Sequence, residues 1–126
     1  MATAAEIVDA FIAAIERKDV EAALELAADD IEYDNVPMPT AYGKEATRAF
    51  LGPFAEASDE IQWVIHRQVA NGDTVFNERT DRFRSGDKWI EIPVVGVWVV
   101  RDGLITLWRD YFDLQSFTDQ MAAAAG

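Results

Sequence analysis

The sequence predicts an α+β domain in which a strongly curved, mostly antiparallel sheet wraps around N-terminal helices. Three observations predict it. Helical hydrophobic spacing is confined to the first half of the chain, the runs after Glu60 alternate like strands, and tight-turn signals separate those runs. Helices followed by a four-strand antiparallel meander are the order of an α+β fold, and bulges curve such a sheet enough to leave a pocket.

Thr3-x-x-Glu6 is a capping-box pattern in front of Ile7, Val8, Phe11, Ile12 and Ile15, and this spacing predicts a helix from about Ala4 to Glu16. Asp19 is placed to cap a second, alanine-rich helix running through Ala28, with Ala23, Leu24, Leu26 and Ala27 on its buried side. Ile31 to Val36 reads as a short strand with Ile31, Tyr33 and Asn35 on one face, and Pro37-Met38-Pro39 forces a turn. A third helix follows Gly43, from about Lys44 to Glu56. Ala46, Ala49, Phe50 and Phe54 are its expected inner face, and Gly52-Pro53 is expected to kink or shorten it.

Ile61 to Val69 is the first meander strand, and Asn71-Gly72-Asp73 is a hairpin signal. Val75 to Phe83 returns with Val75, Asn77, Arg79, Asp81 and Phe83 on one face. Ser85-Gly86-Asp87 turns into Trp89 to Val100, where Pro93 and Gly96 predict a bulge or sharp bend. Arg101-Asp102-Gly103 turns into the last strand, Leu104 to Leu114. The chain after Phe117 ends in four alanines and a glycine and is expected to fray over about 119–126. With no internal repeat and no linker, residues 1–126 read as a single domain.

The formal net charge of −12 argues against nucleic acid or an anionic membrane surface as partner, since phosphates want clustered Lys and Arg. There is no cysteine, and His66 is the one histidine, so zinc, mononuclear iron and thiol chemistry are not expected. No G-x-S-x-G elbow signals a serine triad. No apolar run approaches the ~20 residues of a membrane span. The start, Met1-Ala-Thr-Ala-Ala-Glu6, lacks the basic region of a secretory signal, so a cytoplasmic protein is the expectation.

The last strand carries an anomaly. Alternation puts Trp108, Asp110 and Phe112 on one face, and an unpaired carboxylate between two aromatics is costly to desolvate. Tyr33 with Asn35 and Arg79 with Asp81 are spaced by two, so each pair also points one way. Phe54, Phe83, Ile92, Val94, Trp108 and Phe112 are the expected apolar walls around them, and apolar walls with a convergent polar floor are the usual form of a small-molecule site. Arg79 alone with Asp81 reads as an ordinary surface pair. Three coincidences of matching parity favour a site. One guanidinium between two aspartates keeps one carboxylate ionised while burial and the neighbouring charge raise the other, which provides an acid and a base together. A phenol and a carboxamide suffice to hold a water beside the base. His66, Glu78, Arg82, Asp87 and Asp113 read as strand, turn or solvated residues.

Tyr33-x-Asn35-x-Pro-x-Pro39, Ala41-Tyr42-Gly43, Glu78-Arg79-x-Asp81, Gly96-Val97 and Trp108-Arg-Asp-Tyr-Phe-Asp113 together resemble the limonene-1,2-epoxide hydrolase family. The resemblance runs from about Asp29 to Phe117. It implies the cone fold of the nuclear transport factor 2-like and ketosteroid isomerase-like group, a homodimer, and no cofactor. It implies Asp110 as general base toward a water also held by Tyr33 and Asn35, Asp81 as the acid, and Arg79 as the bridge. The implied reaction hydrates a small cyclic or terpene-type epoxide to a vicinal diol in one step. Large wall residues such as Phe54, Trp63 and Phe83 set this pocket apart from one shaped for limonene oxide itself. The rivals are a steroid-isomerase or polyketide-cyclase type enzyme, and a non-catalytic small-molecule-binding module. Neither needs an arginine between two aspartates.

Overall fold

A computed structural model describes residues 2–126. The chain runs α1 (Ala4–Glu16), α2 (Val20–Leu24), β1 (Ala27–Val36), β2 (Ala41–Tyr42), α3 (Lys44–Ala57), β3 (Glu60–Asn71), β4 (Thr74–Ser85), β5 (Lys88–Arg101), β6 (Leu104–Tyr111) and α4 (Leu114–Ala125). The six strands form one sheet in the order β2-β1-β6-β5-β4-β3. The meander β3 to β6 is antiparallel throughout, while β1 pairs with β6 in parallel, so the sheet is mixed. The expected α+β class holds.

Helix α1 fills the hollow of the sheet. Thr3 and Glu6 make the reciprocal capping box, and Ile7, Val8, Phe11, Ile12, Ala14 and Ile15 are buried. Phe11 meets Trp98 and Trp108 edge-on, with centroids 5.5 and 5.1 Å apart. Burying one such aromatic stabilises by roughly 1.5–3 kcal/mol, so α1 is anchored to the strands that carry the two tryptophans.

The structure corrects several expectations. Helix α2 ends at Leu24, and Ala27 already pairs with Ile105 of β6, whose N–H donates to Leu26 O at 2.8 Å. A ladder with β6 outweighs the helical preference of those alanines. Helix α3 buries Thr47, Leu51 and Ala55, while Ala46 and Ala49 face solvent. Thr47 tolerates burial because its hydroxyl donates to Gly43 O at 2.9 Å. Pro53 sits inside α3 without shortening it. The β4–β5 register runs unbroken through Pro93 and Gly96; the one irregularity in β5 lies at Val99/Val100. Pro93 is tolerated because β6 pairs with β5 only from Val95 onward, which leaves Pro93 at an edge.

The chain after Phe117, expected to fray, continues as α4 to Ala125, and β6 stops at Tyr111. Asp113 caps the new helix, its carboxylate accepting from Gln115 N–H at 3.1 Å. Gln120 then accepts from Glu91 N–H and donates to Glu91 O, both at 2.9 Å, and so fastens α4 along the free edge of β5.

Candidate active site

Cross-strand register assembles the site in rows. One row is aromatic: Tyr33 of β1 lies beside Trp108 of β6, which lies beside Trp98 of β5. The Tyr33 and Trp108 rings stack at 4.0 Å and 12°, and Trp108 stacks on Trp98 at 5.1 Å and 9°. The next row is polar: Asn35, Asp110, Gly96 and Asn77 pair in turn across β1, β6, β5 and β4. Gly96 leaves a gap in that row, and the Arg79 guanidinium fills it. A Cβ on Gly96 would collide with Arg79 Nη1 and come within 2.8 Å of Asn77 Oδ1 and 2.9 Å of Asp110 Oδ1.

Arg79 is 1% exposed, so its charge depends on its partners. Its Nε and Nη2 donate to Asp81 Oδ1 and Oδ2 at 2.9 Å, and Nη2 also donates to Asp110 Oδ2 at 2.9 Å. Nη1 donates to Asn77 Oδ1 at 2.8 Å. The second oxygen of Asp110 accepts from the Trp108 indole N–H at 3.0 Å. Burial works against the arginine's charge, but the Asp110 and Asp81 carboxylates outweigh it and hold the guanidinium above its ordinary value.

Burial pushes the Asp110 carboxyl up to about 6; the Asp81 charge adds to that, while Arg79 and the Trp108 N–H oppose it. Such a carboxylate is ionised at neutral pH yet more basic than a solvated aspartate. Burial also lifts the Tyr33 phenol well above its usual value, helped by the Asp110 and Asp81 charges and opposed by its hydrogen bond with Asn35. Tyr33 therefore stays a neutral phenol beside the carboxylates.

Asp81, Asp110, Tyr33 and Asn35 open into one cavity of about 150 Å³. Phe54, Phe83, Ile92, Val94 and Phe112 line it, as expected from the sequence, and Met38, Phe50, Leu51, Trp63 and Phe117 complete the wall. At ~30 Å³ per water, the space equals a handful of waters and admits a small, compact, apolar molecule. Trp108 does not line it. The ring is fully buried between Tyr33 and Trp98, so its contribution is its N–H to Asp110 rather than a surface for substrate. Met38 and Phe117 carried no local signal, since a proline-flanked turn and a helix absent from the sequence reading bring them to the mouth. Trp63 was expected among the large wall residues and Phe50 on the inner face of the third helix, and both line the cavity.

Arg109 stands on the opposite sheet face, as alternation requires, donating to Asp34 Oδ2 at 2.7 Å and to Glu32 Oε2 at 2.9 Å. His66 pairs with Thr80 Oγ1 at 2.8 Å, away from the cavity. Among the described residues no cluster of His, Cys, Asp and Glu is placed to hold a metal ion, and no helix is long and apolar enough to cross a membrane.

Comparison with known proteins places this geometry. The family model for the limonene-1,2-epoxide hydrolase catalytic domain matches residues 2–123. The chain is 37% identical over 108 residues to epoxide hydrolase EphG of Mycobacterium tuberculosis, covering 85% of this chain and 71% of that protein. A solved LEH-like epoxide hydrolase from M. tuberculosis superposes with a TM-score of 0.84 at 33% identity, covering 95% of this chain and 90% of that one. A candidate polyketide cyclase from Xanthomonas campestris pv. campestris superposes at 0.79 with 26% identity, covering 93% and 95%. The curved-sheet cone is thus shared among enzymes of differing names. With residues 2–123 matched by the family model, and 37% identity to EphG over 108 residues, the chain belongs to the limonene-1,2-epoxide hydrolase catalytic-domain family.

Proposed function

We propose that the protein adds water to a small cyclic or terpene-type epoxide, giving a vicinal diol in a single acid–base step. The observation that carries this reading is one buried guanidinium shared by two carboxylates that both open into an apolar cavity. Asn35 pairs directly with Asp110 across β1 and β6, so a water held by Asn35 and Tyr33 lies against Asp110. Asp110 takes a proton from that water as its oxygen attacks an epoxide carbon. The C–O bond breaks, and the departing oxygen takes a proton from Asp81.

Charge is conserved across the step. The proposed step takes Asp110 in as the carboxylate and Asp81 as the acid; the two exchange one proton's worth of charge, so the net charge of the triad with Arg79 is unchanged. Arg79 donates to both carboxylates, so it compensates whichever one is ionised. A positioned acid or base contributes about 10²–10⁴-fold each. An alkoxide is a poor leaving group, and both contributions act on the same transition state.

We further propose a cytoplasmic homodimer that uses no cofactor. Phe76, Val95 and Tyr111, each more than two-fifths exposed, give the outer sheet face an apolar surface suited to a second copy. Light scattering tests the dimer.

A panel of cyclic and terpene epoxides assayed for diol formation tests the activity. A single turnover in ¹⁸O-labelled water tests the mechanism: one labelled oxygen is expected in the diol beside the epoxide's own, and a first diol that carries no label would mean that a carboxylate attacks carbon.

A further inference from the structure

We propose that Asn77 is a positioning residue for this reaction: it anchors Arg79 Nη1 and thereby keeps the guanidinium from closing on Asp110 with both Nη atoms. The inference rests on Asp110 being the base. The guanidinium has five N–H donors in a rigid plane. Three hydrogen bonds go to the carboxylates, two to Asp81 and one to Asp110. Nη1 and Asp110 Oδ1 both border the gap at Gly96, since a single Cβ there would press on both. Nη1 carries two N–H groups and Asn77 accepts from one of them; with that anchor lost, Nη1 is free to move toward Asp110 Oδ1. Both Nη atoms then grip the base, and its basicity falls.

Asn77 prevents this with an oxygen that carries no charge. Its Oδ1 accepts from Nη1 at 2.8 Å and from the Trp98 indole N–H at 3.2 Å. Its amide cannot readily turn over, because Nδ2 donates to Gln68 Oε1 at 3.0 Å and Gln68 Nε2 donates in turn to Asp9 Oδ1 at 3.0 Å. A carboxylate accepts only, so Asp9 on α1 sets the direction of the whole relay. Asn77 is 2% exposed and touches no cavity, so its polar atoms serve the wall of the site rather than the substrate. The titratable groups that face Asp110 and Arg79 are Asp81 on β4 and Tyr33 on β1, with Glu16 at the end of α1 nearer Asp81. The cavity faces of α3 and α4 offer Phe50, Leu51, Phe54 and Phe117, none of which titrates.

Two substitutions act in opposite directions, which a merely structural role does not produce. Asn77→Leu removes the acceptor and releases Nη1 to Asp110. Asn77→Asp keeps shape and acceptor but adds a negative charge beside the triad. The experiment is a ¹³C NMR titration of the Asp110 carboxyl in wild type and both variants, with kcat and KM measured for an accepted epoxide. The Asp110 midpoint is expected to fall by about one pH unit in Asn77→Leu and to rise by about one in Asn77→Asp. In Asn77→Leu, kcat is expected to drop about ten-fold at pH 7 with KM near its wild-type value. Midpoints that stay put, or that move the same way in both variants, overturn the inference. Should the leucine variant fail to fold, Asn77→Ala removes the same acceptor with less bulk, and a midpoint that does not fall there is fatal. Wild-type protein that hydrolyses no epoxide counts against the proposed reaction, while the titration still settles what Asn77 does.

Discussion

Trp108 donates its indole N–H to Asp110 Oδ1 at 3.0 Å from two residues earlier on the same strand. The aromatic stack and the carboxylate are therefore one unit, since the ring that Tyr33 and Trp98 hold flat presents its N–H to the proposed base. A hydrogen bond to a charged group is worth about 1.5–3 kcal/mol, and this one favours the ionised form. Trp108→Phe keeps most of the stacking and loses the donor. The midpoint of the rising limb of kcat/KM against pH is expected to move upward by about one unit. A profile that coincides with wild type would show that the N–H contributes nothing to the base.

Asp110→Asn is expected to lower turnover at least about 10³-fold while leaving the fold intact. It also carries a stability signature. The Asp110 carboxyl is raised from 3.8 to about 6. Its protonated form is thus favoured in the folded chain, and that stabilisation is complete below pH 3.8 and lost as pH rises through 6. The asparagine variant lacks this loss. Its Tm relative to wild type should therefore rise from pH 4 to pH 7, in thermal melts recorded by circular dichroism. A difference that is flat across that range would mean Asp110 does not titrate there.

Gly96→Ala places a methyl group where Arg79 Nη1 lies, within 3 Å of Asn77 and Asp110 as well. The guanidinium must shift to escape that contact, and the Trp63 and Trp98 rings, 5.7 and 5.8 Å from it, limit where it can go. Overpacking of this kind costs about 1–3 kcal/mol, and the displaced fork no longer spans both carboxylates. Denaturant melts are expected to show that loss together with a fall in kcat of about 10²-fold or more. An alanine variant with wild-type kcat would show that Arg79 has room to spare.

Trp63 gives the opposite case. Its indole N–H is buried and finds no acceptor among the described residues. An unmet buried donor costs about 1–3 kcal/mol. Trp63→Phe removes that cost, loses some packing against Phe54, and enlarges the cavity slightly. Stability in urea is expected to stay within about 1 kcal/mol of wild type, whereas Trp108→Phe is clearly destabilised. Equal losses in the two variants would contradict the difference in their partners.

Local sequence determined a good deal of this protein. The capping box at Thr3 and Glu6, the hairpin at Asn71-Gly72 and the alternation through Val75 to Phe83 depend on near neighbours, so they were legible one element at a time. The same alternation put Asp110 with Trp108, Arg79 with Asp81, and Tyr33 with Asn35 on common faces. What only the tertiary structure decided is how those faces meet. The parallel pairing of β1 with β6 drew Ala27 out of a helix and set Asn35 opposite Asp110. The gap at Gly96 turned an expected bend into the slot for a guanidinium. The edge of β5 turned an expected frayed tail into α4, which brings Phe117 to the cavity. Trp108, a wall residue by parity, became a hydrogen-bond donor behind the wall once Tyr33 and Trp98 covered its faces. Periodicity assigns a side chain to a face because it depends on backbone geometry alone. Register between distant strands is settled by long-range packing and hydrogen bonds, and those determine which faces become a site.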